Sequence, residues 1–354
     1  MYTEDVEFFR GKRVLLTGHT GFKGSWMCRV LTNAGAVVAG YSTCTSRTPS
    51  LYSMAELDGR VRSFRGDVRD LKTLRAAFDE FQPEIVIHMA AQPIVRTGYE
   101  QPVDTYETNV MGTVNLLECV RLCPSVRSVL NVTTDKVYQN NEWAWGYREN
   151  EKLDGYDPYS NSKSCSDLVT HCYCNSFFRD REIAVSIARA GNVIGGGDFS
   201  RDRIIPDCVR SVQAGTPVFV RNPGSVRPYQ HVLDPVIAYL MIAARQAQNR
   251  KLSGWYNVGP DERDCLSTGA LVGLFCEKWG EGAAWITRPE TNAVHEAGYL
   301  KLDCSLLKTR FGWNPRWGIE EAVGKTCEWT KVCLAGGNIA AEMDREIEAF
   351  FKKC

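Results

Sequence analysis

The sequence predicts an α/β protein, in which a doubly wound parallel sheet is followed by a smaller, mixed α/β lobe. Three observations predict it. Strand-like and helix-like segments alternate through the first half of the chain, and a cluster of glycines follows the first predicted strand at once. After about residue 190 the sequence changes to loops rich in glycine and proline, with shorter elements between them. Such a sheet binds ligands beyond the carboxyl ends of its strands.

Short apolar runs typical of buried strands alternate with segments whose apolar residues recur every three or four positions. Strands are predicted at 13–17, 36–41, 85–88, 128–132 and 184–187, and helices directly after the glycines and at 71–81, 105–122 and 158–179. This order is typical of a Rossmann domain, placed at residues 11–190, after an N-terminal arm of ten residues. Residues 191–354 form the predicted substrate lobe. Some of its later helices and strands can pack as part of the first domain.

Composition and charge exclude several classes of protein. With 42 basic and 42 acidic residues the formal net charge is zero, so no overall field favours nucleic acid or an anionic membrane. No apolar run approaches the roughly 18 to 20 residues that span a bilayer. The 14 cysteines lack zinc spacing and lie within predicted helices and strands, which predicts reduced thiols, no bound metal and a soluble cytoplasmic protein.

The turn after the first strand carries the motif GHTGFKG at residues 18–24. Glycines at this place let the backbone approach a pyrophosphate, which free N–H groups and the helix dipole then stabilise. The predicted dinucleotide-binding residues of this turn are Gly18, Thr20, Gly21, Phe22, Lys23 and Gly24. Asp67, followed by Val68 at the end of another strand, either accepts a hydrogen bond from an adenine amino group or caps the next helix.

The second predicted strand leaves the choice between NAD and NADP open. An NAD-specific fold carries an Asp or Glu about 20 residues past the glycines, where it holds a ribose hydroxyl. Here the strand ends in Gly40-Tyr41-Ser42-Thr43 instead, and Arg47 lies nearby. This region is therefore compatible with either cofactor.

A second candidate site begins at Asp157-Pro158, where an N-cap and a proline at the first position predict the start of a helix. Tyr159 and Lys163 then lie one turn apart on the same face. A nearby ammonium stabilises a phenolate, and a tyrosine pKa lowered by roughly two units makes a usable base near neutral pH. A surface pair without function is the alternative.

Polar residues also follow the strand predicted at 128–132. Thr134 and Asp135 lie at the carboxyl end of a parallel strand, which is the edge where open α/β sheets bind ligands. Capping of a following turn is the alternative role for both residues. Together with the glycine turn, these residues predict a cofactor and a catalytic site on one edge of the sheet.

These motifs resemble the extended short-chain dehydrogenase/reductase family and, within it, the CDP-glucose 4,6-dehydratases. The resemblance extends from about Gly11 to Trp317. Its motifs are GHTGFKGSW at 18–26, HMAAQPIVR at 88–96, TNVMGTVNLLE at 108–118, TTDKVY at 133–138, WGYRENE at 145–151, YDPYSNSK at 156–163, RAGNVIGGGDF at 189–199, RNPGSVRPYQHVLDP at 221–235 and YLKLDCS at 299–305.

The resemblance implies a role for each matched residue and a tightly bound NAD that is regenerated in every turnover. The implied catalytic set is Thr134 on the sugar O4, Tyr159 as base, Lys163 as its ribose-binding partner, and Asp135 with Lys136 as the acid/base pair for elimination. The implied cofactor cleft is lined further by Ala90, Ala91, Gln92 and Asn109. Asn192 and Arg227 are implied to face the nucleotide phosphates of a CDP-sugar, where the planar guanidinium suits phosphate oxygens.

The implied reaction converts CDP-D-glucose to CDP-4-keto-6-deoxy-D-glucose for deoxysugar biosynthesis. The C4 hydride passes to NAD while Tyr159 takes the O4 proton, and the resulting ketone acidifies C5–H. Asp135 is the expected donor to the departing C6 hydroxyl, the C5 proton goes to Lys136 or to another group, and the hydride returns to C6. The resemblance also implies a homodimer or homotetramer, with the helices at 105–122 and 158–179 as a dimer interface.

Departures from the family pattern at residues 293–298, Asp154 and Tyr229 leave the nucleotide base and the sugar open. The nearest alternative is a nucleotide-sugar epimerase, or a dehydratase that uses another nucleotide; Asp135 beside Lys136 argues against a simple 4-epimerase. A protein that binds a dinucleotide without catalysis is a third possibility, against which the intact Tyr159 and Lys163 argue.

Overall fold

The structure, a computed structural model, describes residues 2–43, 49–280, 282–287 and 297–353. Its strands are β1 (Arg13–Thr17), β2 (Val37–Ser42), β3 (Arg62–Arg65), β4 (Ile85–His88), β5 (Ser128–Thr134), β6 (Ala184–Ala190), β7 (Val193–Ile194), β8 (Val218–Val220), β9 (Val226–Pro228), β10 (Gln230–His231), β11 (Trp255–Val258), β12 (Cys265–Ser267) and β13 (Trp285–Thr287). Its α-helices are α1 (Tyr2–Glu7), α2 (Phe22–Asn33), α3 (Leu51–Met54), α4 (Leu71–Phe81), α5 (Val95–Glu100), α6 (Pro102–Tyr106), α7 (Gly112–Leu122), α8 (Pro158–Tyr173), α9 (Ile204–Gln213), α10 (Leu233–Gln248), α11 (Thr268–Trp279), α12 (Ser305–Phe311), α13 (Ile319–Leu334) and α14 (Ile339–Lys352).

Seven parallel strands form the central sheet in the order β3-β2-β1-β4-β5-β6-β11. The strand order reverses between β1 and β4, which makes this the switch point where such sheets bind ligands. The middle strands are almost wholly buried because helices cover both faces, with α4, α7 and α8 on one side and α2 and α10 on the other. The predicted doubly wound parallel sheet is confirmed.

Two elements from the second half of the chain return to the first domain. β11 pairs with β6, so that Trp255 lies opposite Ile187, and α10 packs across β5 and β6. The other elements that follow β6 include three two-stranded sheets, β7 with β10, β9 with β12 and β8 with β13. A separate apolar core around Phe275 and Trp279 lies among these elements. We propose a domain boundary near residue 190, with α10 and β11 assigned to the first domain.

The helices predicted at 105–122 and 158–179 are both interrupted by π-helical turns. The first begins earlier, as α6 with Pro102 at its first position, and a π turn at Glu107–Met111 separates it from α7. Proline is favoured there because the first N–H groups of a helix have no partner within it. The second predicted helix begins as α8, and a π turn at Cys174–Phe178 follows it. π turns of this kind occur often at functional sites.

The predicted N-terminal arm contains a helix, α1, which the sequence reasoning did not predict. Asp5 of α1 accepts a hydrogen bond from Arg245 Nε of α10 at 2.7 Å, and this ion pair anchors the arm to the first domain. Twelve cysteines lie in the described residues, and all twelve are free thiols. Within the same residues, no helix has both the length and the hydrophobicity to cross a bilayer.

Candidate active site

The glycine-rich turn lies between β1 and α2 at the carboxyl edge of the sheet. Gly18 has a φ of +73°, which L side chains rarely adopt, and a Cβ there would lie 2.9 Å from the Ala90 nitrogen. A Cβ on Gly24 would collide with the Gly18 carbonyl oxygen. Gly21 is the N-cap of α2 and provides no side-chain cap, whereas Phe22 packs against the core. This cradle of backbone N–H groups fits a pyrophosphate.

Thr17 fixes the loop after β4 against this turn. Its hydroxyl oxygen accepts hydrogen bonds from the nitrogens of Met89 and Ala90, both at 3.1 Å, and lies 2.7 Å from His88 Nδ1. Burial lowers the pKa of His88 to about 3, so its imidazole is neutral. Ala90, with a short side chain, therefore passes directly beside the glycine turn.

Asn109 and Gln92 hold the same loop from the other side. Asn109 lies in the first π turn, where its Oδ1 accepts from the Gln92 nitrogen at 2.8 Å. Its Nδ2 donates to the Gln92 carbonyl at 3.0 Å and to Ser162 Oγ of α8 at 2.9 Å. Gln92 Nε2 donates in turn to Thr105 Oγ1 at 2.9 Å. Because the protein itself engages both amides, these two residues shape the cleft.

A histidine ring lies at the end of β2, near the place where an acidic residue was expected. His19 Nε2 lies 2.8 Å from a serine hydroxyl of β3, and a Cβ on Gly40 would collide with the imidazole. Burial lowers the pKa of His19 to about 4, so the ring is neutral. Thr20 Oγ1 lies 2.8 Å from Ser42 Oγ, which ties the turn to β2. Arg47, which left NADP open, lies outside the described residues.

Asp67 and Val68 follow β3 at the same edge of the sheet. Asp67 Oδ2 accepts from Arg69 Nη2 at 2.7 Å, and this hydrogen bond lowers the pKa of Asp67. Val68 is buried against Gly112 of α7. A Cβ added to Gly112 would lie 2.7 Å from Val68 Cγ2. The N-cap of α4 is Asp70, which accepts from two backbone nitrogens of the first turn. The capping role considered for Asp67 is therefore wrong, whereas its adenine role stays a prediction.

Helix α8 presents Tyr159 and Lys163 from its first two turns. The predicted cap is confirmed, since Asp157 Oδ1 accepts from the Ser160 nitrogen at 3.0 Å. Both Tyr159 and Lys163 are buried, and Lys163 Nζ donates to the Val132 carbonyl of β5 at 3.1 Å. The two catalytic candidates thus face the strand that ends at the second polar cluster, which argues against an exposed pair without function.

The predicted lowering of the Tyr159 pKa is wrong for the protein without ligands. Burial raises the pKa of Tyr159 to about 12, and the opposing effects of the Thr134 hydrogen bond and the Arg203 charge are smaller. Burial also lowers the pKa of Lys163 to about 8. The sequence reasoning counted the attraction between ammonium and phenolate but not the loss of water around both groups, which disfavours both charges.

Thr134 and Asp135 are buried where β5 ends. Thr134 Oγ1 donates to Asp135 Oδ1 at 2.9 Å. It accepts from the Lys136 nitrogen at 3.4 Å and thereby caps the 3₁₀ turn at Asp135–Val137. Thr134 is also a hydrogen-bond partner of Tyr159. In the described part of the chain Asp135 Oδ2 has no hydrogen-bond partner. Burial raises the pKa of Asp135 although the Lys136 charge opposes it, so this carboxyl group holds its proton more tightly than an exposed aspartate does.

Lys23 and Arg203 add positive charge to the cleft. Burial lowers the pKa of Lys23 to about 7, Arg203 and Lys163 act in the same direction, and Asp135 and Asp198 oppose them. Lys23 is therefore within electrostatic range of the catalytic groups as well as part of the glycine turn. Arg203 Nε lies 3.8 Å from Asp198 Oδ2, and the Arg203 charge acts to lower the pKa of Tyr159. The sequence reasoning did not predict Arg203, because its loop has neither a hydrophobic periodicity nor a spacing motif at that residue.

Arg227 faces Asp135 from the second lobe. It lies on β9, is buried, and donates to the carbonyls of Val226, at 2.9 Å, and Ala297. Its charge also acts to lower the pKa of Asp135, which places it in the catalytic cluster. Asn192 lies between β6 and β7, with its carbonyl bonded to β10 and its side chain half-buried. Of the two predicted phosphate-binding residues, Arg227 is thus the one whose charge acts on a candidate catalytic group.

A parallel sheet with a glycine cradle at its switch point, and a buried threonine, tyrosine and lysine at the neighbouring strand end, defines a class of protein. It is that of the dinucleotide-dependent short-chain dehydrogenases/reductases. The chain belongs to the GDP-mannose 4,6-dehydratase family, whose model matches residues 15–326, and thus to the extended members of this class. The resemblance to that class is therefore confirmed.

Curated relatives include several nucleotide-sugar dehydratases. A CDP-glucose 4,6-dehydratase of Salmonella typhimurium is 47% identical over 352 residues, which cover 98% of each chain. A probable dTDP-glucose 4,6-dehydratase of Sinorhizobium fredii is 29% identical and covers 90% of this chain and 92% of its own.

Solved structures share the whole fold. A dTDP-glucose 4,6-dehydratase from Streptomyces venezuelae with NAD bound has a TM-score of 0.78 and 25% identity, and the match covers 93% of this chain and 99% of that one. A UDP-glucose 4-epimerase of Thermus thermophilus in complex with NAD has a TM-score of 0.77 and 28% identity, with 89% and 98% covered. Both dehydratases and epimerases thus use this architecture.

Proposed function

We propose that this protein is an NAD-dependent CDP-glucose 4,6-dehydratase, a lyase that forms CDP-4-keto-6-deoxy-D-glucose. One observation carries the proposal: buried Asp135, with its raised pKa, is hydrogen-bonded to Thr134, which is also the partner of Tyr159. A group for oxidation at C4 and a proton donor for elimination at C6 thus share one cleft, and a simple epimerase has no use for the second. The relative at 47% identity supports CDP and glucose as the nucleotide and the sugar.

The residues of the first domain fit NAD. The cradle at Gly18 and Gly24, which a Cβ would fill, accommodates the pyrophosphate, and Lys163 at the floor of the cleft is available to the nicotinamide ribose. Asp67 at the rim is the candidate partner of the adenine. Bound there, NAD⁺ would supply the acceptor for the C4 hydride and its donor to C6, and its positive charge would favour the Tyr159 phenolate.

In the oxidation step, the protein's own residues position and deprotonate the C4 hydroxyl. Thr134 holds O4, and Tyr159 removes its proton as hydride leaves C4. The Arg203 charge and the hydrogen bond between Thr134 and Tyr159 both act to lower the Tyr159 pKa, against the effect of burial. The base therefore loses its proton only when further positive charge enters the cleft, which couples deprotonation to cofactor binding.

In the elimination step, the 4-ketone makes the C5 proton acidic and the C6 hydroxyl leaves as water. Asp135 is the proton donor, because burial raises its pKa and keeps a larger fraction of it protonated near neutral pH. The C5 proton goes to Lys136 or to another group of the cleft. Neutral Lys136 would act as base only if the surrounding positive charge lowered its pKa.

Arg227, Arg203 and Asn192 are the proposed partners of the substrate diphosphate. The charge of Arg227 acts on Asp135 and that of Arg203 acts on Tyr159, and a guanidinium group binds two phosphate oxygens at once. A dehydratase for a dTDP-sugar is the second candidate, supported by the 29% identical relative. Tyr229, one of the departures from the family pattern, is buried with its hydroxyl 3.3 Å from Thr268 Oγ1, and residues 293–296 lie outside the described residues.

We also propose a homodimer, or a tetramer built from it, that works in deoxysugar biosynthesis in the cytoplasm. The helices α6, α7 and α8 carry exposed apolar side chains, among them Val103, Leu122 and Leu168. Two copies of this surface would form a four-helix contact and bury these side chains. The free thiols of the described cysteines support a reducing compartment.

Mass spectrometry of products tests the proposed reaction. Purified protein is incubated with CDP-, dTDP-, UDP- and GDP-glucose, with and without NAD, beside a Tyr159→Phe control. We expect loss of one water from CDP-glucose and a fall of about 10³-fold in rate in the control, as removal of an acid/base group predicts. An isomer of unchanged mass would instead establish an epimerase, and dehydration of another nucleotide sugar would reassign the nucleotide.

A further inference from the structure

An ion pair with no solvent exposure lies beneath the two catalytic segments. Arg189 Nε of β6 donates to Asp167 Oδ2 of α8 at 2.6 Å, and both side chains are 0% exposed. Asp167 is one helical turn past Lys163, as Lys163 is one turn past Tyr159, so the pair lies on the catalytic face of α8. The established chemistry of the cleft does not use either residue directly.

Arg189 also reaches the second catalytic segment. Its Nη1 donates to the Tyr138 hydroxyl at 3.0 Å and to the Glu149 carbonyl at 2.9 Å, and its guanidinium lies over the Tyr138 ring, 5.2 Å from the centroid. Tyr138 directly follows the turn of Asp135–Val137 and donates to Asn257 Oδ1 of β11 at 2.6 Å. One side chain therefore contacts α8, the end of the catalytic turn and the loop that joins them.

The sheet places Arg189 beside the catalytic strand as well. In the pairing of β5 with β6, Thr133 lies opposite Arg189 and Thr134 opposite Ala190. The Arg189 backbone is therefore fixed next to the residue that precedes Thr134, and its side chain passes beneath the turn. Lysine, with a single ammonium on a flexible stem, would not provide this fork of donors.

Stability alone is a poor reason for this pair. Burying two charges costs desolvation, and apolar residues of similar volume are often at least as stabilising. Within the described residues, Asp167 Oδ1 and Arg189 Nη2 have no hydrogen-bond partner, so the pair is not fully satisfied. What the pair does provide is a fixed geometry between segments that are far apart in sequence.

We propose that Arg189 is a positioning residue, which through Asp167 and Tyr138 holds the helix of Tyr159 and Lys163 against the turn of Thr134, Asp135 and Lys136. The inference rests on the proposed dehydratase and names what sets the geometry of its cleft. In this role Arg189 itself contacts neither substrate nor cofactor. Small shifts in such geometry have large effects on rate, since a misplacement of about 1 Å can cost about 100-fold.

Tyr138→Phe tests the link with little risk to the fold, because it removes one hydroxyl and keeps the ring. Tyr256→Phe is the matched control: Tyr256 is also buried, and its hydroxyl donates to the Leu252 carbonyl at 2.5 Å and accepts from Arg310 at 3.2 Å, so its hydrogen bonds involve neither catalytic segment. Arg189→Lys is the stronger variant. The full-length proteins are compared for kcat, KM, thermal stability and the isotope effect on kcat with C4-deuterated CDP-glucose.

We expect Tyr138→Phe to lower kcat about tenfold at nearly constant KM and to raise the isotope effect, because poorer alignment makes hydride transfer rate-limiting. Arg189→Lys should lower kcat about 100-fold. Tyr256→Phe should lose similar stability with kcat and isotope effect unchanged. A wild-type kcat and isotope effect in Tyr138→Phe would overturn the inference but not the proposed function. An equal loss of kcat in Tyr256→Phe would do the same. A wild-type protein that does not dehydrate CDP-glucose would overturn the proposed function, and the inference with it.

Discussion

The glycine turn and the catalytic cluster lie at the same edge of one sheet, but they are built in opposite ways. The turn at residues 18–24 owes its shape to missing side chains, since a Cβ on Gly18 or Gly24 would strike neighbouring backbone. The cluster around Thr134 and Tyr159 owes its shape to buried polar side chains that hold two distant segments together. The glycines of the first can be recognised in the local sequence, whereas the contacts of the second exist only in the folded chain.

This difference teaches how each region tolerates change. A backbone cradle has no side chain to adjust, so one added methyl group is enough to close it. A side-chain network can adjust, but it depends on charges whose loss changes the pKa values of its neighbours. A single substitution in the turn should therefore remove most of the NAD affinity. Substitutions in the cluster should change the rate or its pH dependence gradually.

The largest effect is expected from Gly24→Ala in the turn. Its Cβ would collide with the Gly18 carbonyl oxygen, so either the turn or α2 must move away from the pyrophosphate site. We expect NAD affinity, measured by calorimetric titration, to fall by at least about 100-fold. Binding within twofold of the wild type would show that the cradle is not defined by its backbone.

Gly324→Ala is the matched control for that change. Gly324 lies inside α13, where a Cβ meets nothing within 4 Å. The substitution should leave NAD binding unchanged and stabilise the fold by about 1 kcal/mol, the usual gain of alanine over glycine within a helix. Thermal denaturation of the two variants side by side separates a local block of the site from a general loss of fold.

An intermediate effect is expected from Asp167→Asn in the cluster. Burial lowers the pKa of Lys163 to about 8, and Asp167 is the group that raises it. Removing the carboxylate should lower that pKa further, while the charge of nearby Lys23 remains. If Lys163 acts as an ammonium, as proposed, the alkaline limb of kcat/KM against pH should move about one unit lower.

Asp167→Glu is the control for the pH experiment. It keeps the carboxylate beside Arg189 and should return the alkaline limb toward its wild-type position. An alkaline limb that stays unchanged in Asp167→Asn would show that the ion pair does not tune Lys163. The acid limb should be the same in all three proteins.

Much of the fold follows from local patterns in the sequence. The strands at 13–17 and 85–88 and the helix at 71–81 have the predicted bounds, because a short apolar run or a regular amphipathic stretch determines its own structure. The glycine turn and the cap at Asp157 are likewise local. These patterns were sufficient to place the cofactor cradle and one of the two catalytic segments.

The parts that were not predicted depend on contacts between distant residues. α10 and β11 return to the first domain, and Arg203 joins the cleft, through packing that no short pattern records. The π turn that carries Asn109 also lacks a local signal. The pKa of Tyr159 was predicted in the wrong direction because its burial, unlike its spacing from Lys163, cannot be read from a motif.

The smallest expected effect compares two helix caps. Asp157 Oδ1 accepts from the Ser160 nitrogen at 3.0 Å at the start of α8, and Asn338 Oδ1 accepts from the Ala341 nitrogen at 2.9 Å at the start of α14. Replacing either residue by alanine should cost about 1 kcal/mol, since one N–H group of the first turn loses its partner. Stability is measured by thermal denaturation and activity by product formation.

The two variants should differ in activity although they lose similar stability. Tyr159 lies in the first turn of α8, two residues after the cap, so fraying there moves the proposed base and lowers kcat severalfold. Helix α14 carries no group of the cleft, so Asn338→Ala should keep the wild-type kcat. Equal activities in the two variants would mean that the buried contacts of α8, rather than its cap, hold Tyr159 in place, and would extend the side-chain network to the very start of the helix.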